Sequence, residues 1–446
     1  MKNFIQTLKN IWGIEELRSK ILFTFLMILI YRIGAHIVLP GIDPQAMEAG
    51  AQNNTGILGL IDAFSGGAFN QASIFALGIM PYISASIFMQ LVTVLVPQFQ
   101  KMQKEGESGR KKINQYTRYL TVIVTLLQAS AYVTYLKGMT QQSGAILPGF
   151  APYFWLSTVV LLTAGTMFVM WMGEKITDRG LGNGTSLIIM IGILARLPQS
   201  FLQELSAKSI RNGQILIFIV EIAILIAIIL GCILLIQGVR KVPVNYAKQI
   251  VGNRQFGGAR QFLPLKVNSA GVMPIIFAQA IMFLPTLASF TNLESGKGLA
   301  RIFNDPSNIW YMLIYVIMVI AFTFLYTALI FNPKQMADNL KQNNGFIPGV
   351  KPGHPTADYI GQVMDRITLP GAIFLAIIGI LPGIAQQLGV TQSFASFFGG
   401  TSLLIMVGVI LDTLQQIETH LLMRQYDGLM STGRVQGRQG ITNSAI

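Results

Sequence analysis

The chain has 446 residues, of which 52% are hydrophobic and only 11% charged. Soluble domains carry about 25% charged residues, so this composition excludes an ordinary water-soluble protein and points to a polytopic membrane protein. The net charge of +13 is what positively biased loops leave in such a protein, and the single cysteine, Cys232, excludes an internal disulfide.

Residues 1–20 form an N-terminal segment in which Ile5, Leu8, Ile11 and Trp12 share one helical face, as in a helix lying on a membrane surface; a solvated tail fits equally. A spanning helix needs about 20 mostly apolar residues. Ten stretches qualify: 21–39, 72–96, 119–136, 153–173, 184–201, 214–237, 269–290, 309–331, 369–388 and 398–417. The first exceeds the roughly 7–15-residue core of a cleaved signal peptide. Between the first two lies a short apolar run, Ile57 to Phe64, stopped at Ser65-Gly66-Gly67. In the second span Pro81 is expected to kink the helix, with Gly78 before it and Ser84 and Ser86 after it leaving small or polar surface for a neighbour. The fifth span is weakened by Arg196 and Pro198. The seventh repeats the pattern of the second, with Gly271 and Pro274 beside Ile276.

Lys and Arg set the orientation. With the N-terminus inside, the inner segments hold 25 of these residues and the outer ones 6, which predicts that both termini are cytoplasmic. The inner loops 238–268 and 332–368 are long and basic, and prolines break them into turns and extended pieces; a tail, 418–446, ends the chain. The fold class is therefore an all-α polytopic membrane protein, with halves at 21–201 and 214–417. Five helices per half force the halves into opposite orientations, the arrangement of inverted repeats around a central path.

The breaks in spans two and seven present isoleucines, Ile79 and Ile83 in one and Ile276 in the other. An apolar constriction binds no solute tightly but can stay dry when narrow, which favours a conduit over a carrier. A solute transporter is the second reading and a membrane-embedded enzyme the third. Arg32, His36 and Asp412 lie toward span ends, where they can snorkel, and Glu221 lies early in the sixth span; all four read as structural, with a proton relay as the alternative. The three histidines, His36, His354 and His420, show no metal-ligand spacing, and "GLGNG" (180–184) follows no strand. Neither H-E-x-x-H nor G-x-S-x-G occurs. No metal, cofactor or catalytic group is expected, so the chain does not read as an enzyme.

Several long stretches, in one order, resemble the SecY protein-translocation channel family (SecY/Sec61-alpha). They are "SIFALGIMPYISASIFMQLV" (73–92), "WMGEKITDRGLGNGTSLII" (171–189), both basic loops, and "FGGTSLLI" (398–405). The resemblance implies a channel that threads unfolded polypeptide across the bacterial cytoplasmic membrane and releases hydrophobic segments sideways into lipid. It carries a pore ring onto Ile79, Ile83, Ile189, Ile276 and Ile405, with Thr185 at a sixth, usually aliphatic position. It makes residues 57–67 a plug, with Ile57, Leu58, Leu60, Ile61 and Phe64 as its apolar face and Gly66 and Gly67 as its hinge. It places a lateral gate between spans 2–3 and 7–8, where Gln128, Gln279, Ser84 and Ser86 lie. Arg254 and Lys351 align with loop positions that engage cytoplasmic partners. Those partners are the SecA ATPase and the ribosome with its RNA, alongside the small membrane subunits SecE and SecG, the secretory and membrane polypeptides that pass, and the lipid bilayer.

Overall fold

Each of the ten expected spans carries a helix in the computed structural model, which describes residues 12–43, 62, 65–143, 153–210, 215–246, 249–251, 254–256, 260–287 and 308–431. Five helices form the N-terminal half: α1 (Glu15–Ala35), α2 (Met80–Leu95), α4 (Glu107–Ser143), α5 (Phe154–Arg179) and α6 (Gly184–Ile210). A short helix, α3 (Pro97–Lys104), joins α2 to α4. The C-terminal half contains α7 (Ile215–Gln237), α8 (Met273–Leu287), α9 (Ile309–Ile330), α11 (His354–Gln387) and α13 (Gly400–Ser431). Between them lie the short α10 (Pro333–Gln342) and α12 (Gln392–Ala395). Among the described residues, seven helices are long and apolar enough to cross a bilayer unaided.

The second span differs from its sequence reading. Helix α2 starts only at Met80, and residues 66–79 form a chain of turns. Pro81 therefore sits in the first helical turn, where its missing N–H costs nothing, and it does not kink the helix. Gly78 precedes it with φ +53°. The seventh span is built alike: α8 opens with Pro274 in its first turn, after Gly271 at φ +64°. Left-handed backbone at both places favours glycine. The shared device gives the two halves a matching helix start.

The basic loops hold the sheet. Strand β1 (Val239–Tyr246) begins two residues after α7 ends and pairs antiparallel with β4 (Arg260–Lys266) on one edge and with β5 (Gly345–Phe346) on the other. A small hairpin, β2 (Gln249–Val251) with β3 (Arg254–Phe256), lies between them. The sheet is rooted in the C-terminal half. Val267 N–H donates to Gly238 O at 2.9 Å, and Val242, Val244 and Leu265 pack with Ile360 and Met364 of α11.

Each half has its own core. One gathers Phe69, Tyr132, Leu136, Phe154 and Leu162; the other gathers Ile275, Tyr315, Val319, Leu375 and Leu403. Helix α7 buries few residues, and Ile219, Leu230 and Leu234 are exposed along it, as suits a helix facing lipid.

Candidate functional site

A third core belongs to both halves. Ile79, at the N-cap of α2, packs in one cluster with Ile188, Ile189 and Ile193 of α6 and with Phe397 and Ile405 from the C-terminal half. Ile83 borders it, half-buried. Ile79, Ile189 and Ile405 keep only 4%, 7% and 7% of their surface exposed, so these branched side chains face one another and not lipid. Close-packed aliphatic carbon offers water no partner. Ile276 is half-buried and stands outside this cluster, but Val272, just before α8, packs against it.

Thr185 fits the apolar setting because its hydroxyl is already spent. Asn183 caps α6: its Oδ1 accepts from the Thr185 hydroxyl at 2.7 Å and from the Thr185 and Ser186 N–H groups at 3.2 and 3.4 Å. The Thr185 methyl and the Ile79 Cδ1 converge on one spot of α5, where Gly173 leaves room.

Toward the end of the bundle away from the sheet, residues 62 and 65–71 are tied to the N-terminal half. The Asp62 carboxylate, wholly buried, forms an ion pair with Arg196 of α6 and accepts from Asn70 N and Nδ2, both at 2.9 Å. Arg32 Nη1 donates to Gly66 O at 3.3 Å, and His36 Nδ1 lies 3.1 Å from Gln71 Oε1. Arg32 and His36 thus reach this turn. Gly66 has φ +69°, and a Cβ there would sit 2.8 Å from Arg32 Nη1 and 2.9 Å from the Gly192 backbone. Ile57, Leu58, Leu60, Ile61 and Phe64 lie outside the described residues.

Polar links join the halves at separate places. Where α9 meets α2, Tyr326 OH donates to Gln90 Oε1 at 2.9 Å. This bond borders a cavity of about 570 Å³ that is also lined by Ser86, Thr93, Arg110 and Asn114. Gln279 accepts from Thr401 of its own half at 3.3 Å, Gln128 is half-buried on α4, and the Ser84 hydroxyl donates back to Met80 O. On the opposite side, Gly182 N–H donates to Gln416 Oε1 at 2.8 Å. At the other end of α6, Lys208 joins Glu204 at 3.0 Å and forms a further ion pair with Glu221 of α7, and Glu204 accepts from Thr391 N at 2.9 Å. Arg254 opens β3, paired with Val251, and Lys351 is exposed before α11.

The SecY family model matches residues 73–414. The chain belongs to the SecY family. The protein translocase subunit SecY of Mycobacterium bovis is 42% identical over 449 residues, covering 96% of this chain and 99% of its own. Two solved structures share the fold. A protein-conducting channel has a TM-score of 0.63 at 15% identity, covering 94% of this chain and 95% of its own. Sec61 in the canine ribosome-channel complex from the endoplasmic reticulum has 0.59 at 14%, with the same coverage. The SecY signature stretches read from the sequence thus supply both walls of the shared core.

Sequence reasoning missed Asp62, Asn70, Gln90, Tyr326, Glu204 and Lys208. One signal was available: Arg196 is a charge inside an apolar span, which demands a buried partner. Asp62, an acid inside an apolar run, is the complementary signal.

Proposed function

We propose that this chain is the pore-forming subunit of a protein translocase, a conduit for unfolded polypeptide across a bacterial cytoplasmic membrane. The observation that carries this is the aliphatic core shared by the two halves, with Ile79 and Ile189 on one side and Ile405 on the other. A waist of this kind holds back water and ions at rest and yields to a flexible chain, because it offers no polar group to bind one. Ile83, Ile276 and the Thr185 methyl complete the ring. The plug at 57–67 closes it from outside, and the seam between α2–α4 and α8–α9 releases hydrophobic segments into lipid.

The split of Lys and Arg supports a multi-pass arrangement with both termini in the cytoplasm. The sheet then projects into the cytoplasm with Arg254 and Lys351, where SecA or a ribosome engages. SecE and SecG complete the complex. The chain performs no chemistry; its partners supply the work.

A photo-crosslinker at Ile79 or Ile276, with a secretory chain stalled in transit, tests the reading. Adducts to the stalled chain are expected at both positions. Adducts to lipid alone would overturn it.

A further inference from the structure

The cavity of about 570 Å³ beside the Gln90–Tyr326 bond is open on one side and lies between α2, α4 and α9, so it touches both halves. Sites of about 300–1,000 Å³ hold small molecules, whereas a helix about 10 Å across would fill this one within two turns. Its inner wall carries Thr93, Thr117 and Tyr326, all buried. Their hydroxyls are satisfied: Thr93 donates to Met89 O at 2.6 Å, Thr117 to Ile113 O at 3.0 Å and Tyr326 to Gln90. Leu329 and Ile330, at the end of α9, give an apolar side at the level where the eighth span closes. Arg110, in the opening turn of α4, and Asn114, one turn on, are exposed on the cavity's rim. Among the described residues Arg110 pairs with no acid. Glu107, one turn back, pairs with Lys111 at 3.0 Å.

We propose that this cavity is a binding site for one anionic phospholipid of the cytoplasmic leaflet. The headgroup phosphate meets Arg110 and Asn114, and an acyl chain lies along Leu329 and Ile330. The inference rests on the orientation given under the proposed function, which puts residues 97–118 on the inner face with six Lys and Arg. Charge selects the occupant. The inner leaflet is negative and attracts an unpaired arginine near its surface. A signal segment opens with basic residues, which Arg110 repels. Because α9 belongs to the other half, a lipid here bridges the seam. The volume does not hold a lipid and a helix together, so a helix entering at this level displaces the lipid.

The test places the full chain with its membrane partners in phosphatidylcholine nanodiscs doped with phosphatidylglycerol that carries a photo-reactive group on one acyl chain. Adducts at the end of α9 are expected at about five times the level given by the matching phosphatidylcholine probe. Arg110→Gln is expected to bring that ratio close to one, and Arg110→Lys, which keeps the charge, to retain most of it. Leu329→Trp fills the apolar side, leaves Arg110 in place and is expected to lower the adducts; it serves if Arg110→Gln fails to fold. Equal labelling by the two probes, or a ratio unchanged in Arg110→Gln, would overturn the site. Loss of labelling on adding inorganic phosphate would make it a site for a free anion, and preferential labelling by a signal segment at rest would assign it to peptide; either result also overturns the proposal. Transport of a secretory chain by the parent in proteoliposomes of the same lipids tests the conduit by itself. If transport fails while the lipid ratio holds, only the conduit reading falls; if transport runs and the ratio is one, only the lipid site falls.

Discussion

Tyr326 donates its hydroxyl to Gln90 at 2.9 Å across the seam between the two halves. Both groups are neutral, and bonds of this kind inside membrane proteins average about 0.6 kcal/mol and reach about 1.7. That is weak enough to break under a modest load and strong enough to bias a resting seam. Tyr326→Phe is expected to shift the closed–open balance about threefold toward open without loss of fold. Fluorescence distances between labels on α4 and α9 would measure it. A closed population equal to that of the parent would show that the bond does not hold the seam.

A polar group in the waist removes the dryness on which the seal depends. Ile189→Asn is expected to raise resting conductance in planar bilayers by about tenfold or more, because a wetted constriction passes ions. Ile189→Val keeps the surface apolar and should leave the resting conductance near that of the parent.

The two carboxylates that meet Lys208 gather three buried charges at one point of the fold. Lys208→Met leaves Glu204 and Glu221 buried with no cation between them. Removing one partner of a buried pair costs about 3–5 kcal/mol, which a lowered melting midpoint in detergent would register. Adding Glu221→Gln should recover part of the loss, since one uncompensated charge is gone.

Arg118 offers the contrast. Its Nε and Nη2 donate to the two Glu174 oxygens at 3.0 and 2.7 Å, a good fork, yet the arginine side chain is 49% exposed. Water already solvates it, so Arg118→Met should cost about 1 kcal/mol or less. A drop comparable to that of Lys208→Met would mean that solvent does not reach this pair.

The spans were legible because twenty apolar residues in a row have few alternatives to a helix in lipid. Glycine and proline at 78, 81, 271 and 274 marked where α2 and α8 begin, although Pro81 starts its helix and does not bend it. The sheet was only half legible. Prolines in the basic loops signalled extended chain, but β1 pairs with both β4 and β5, and β5 lies some hundred residues away beyond α8, α9 and α10. Polar links across the bundle were invisible for the same reason. Nothing near Gln90 in the sequence points to Tyr326, and nothing near Glu204 points to Thr391. Periodicity reports which face a residue occupies, whereas a partner hundreds of positions away depends on how the helices are finally packed.

Strand β1 begins where α7 ends, and its sheet is packed onto α11. A machine pressing on that hairpin would grip a handle attached to one jaw only. Its load reaches α7 and α11 directly and the opposite jaw only through the contacts between the halves, so leverage applied there acts first on how the jaws meet.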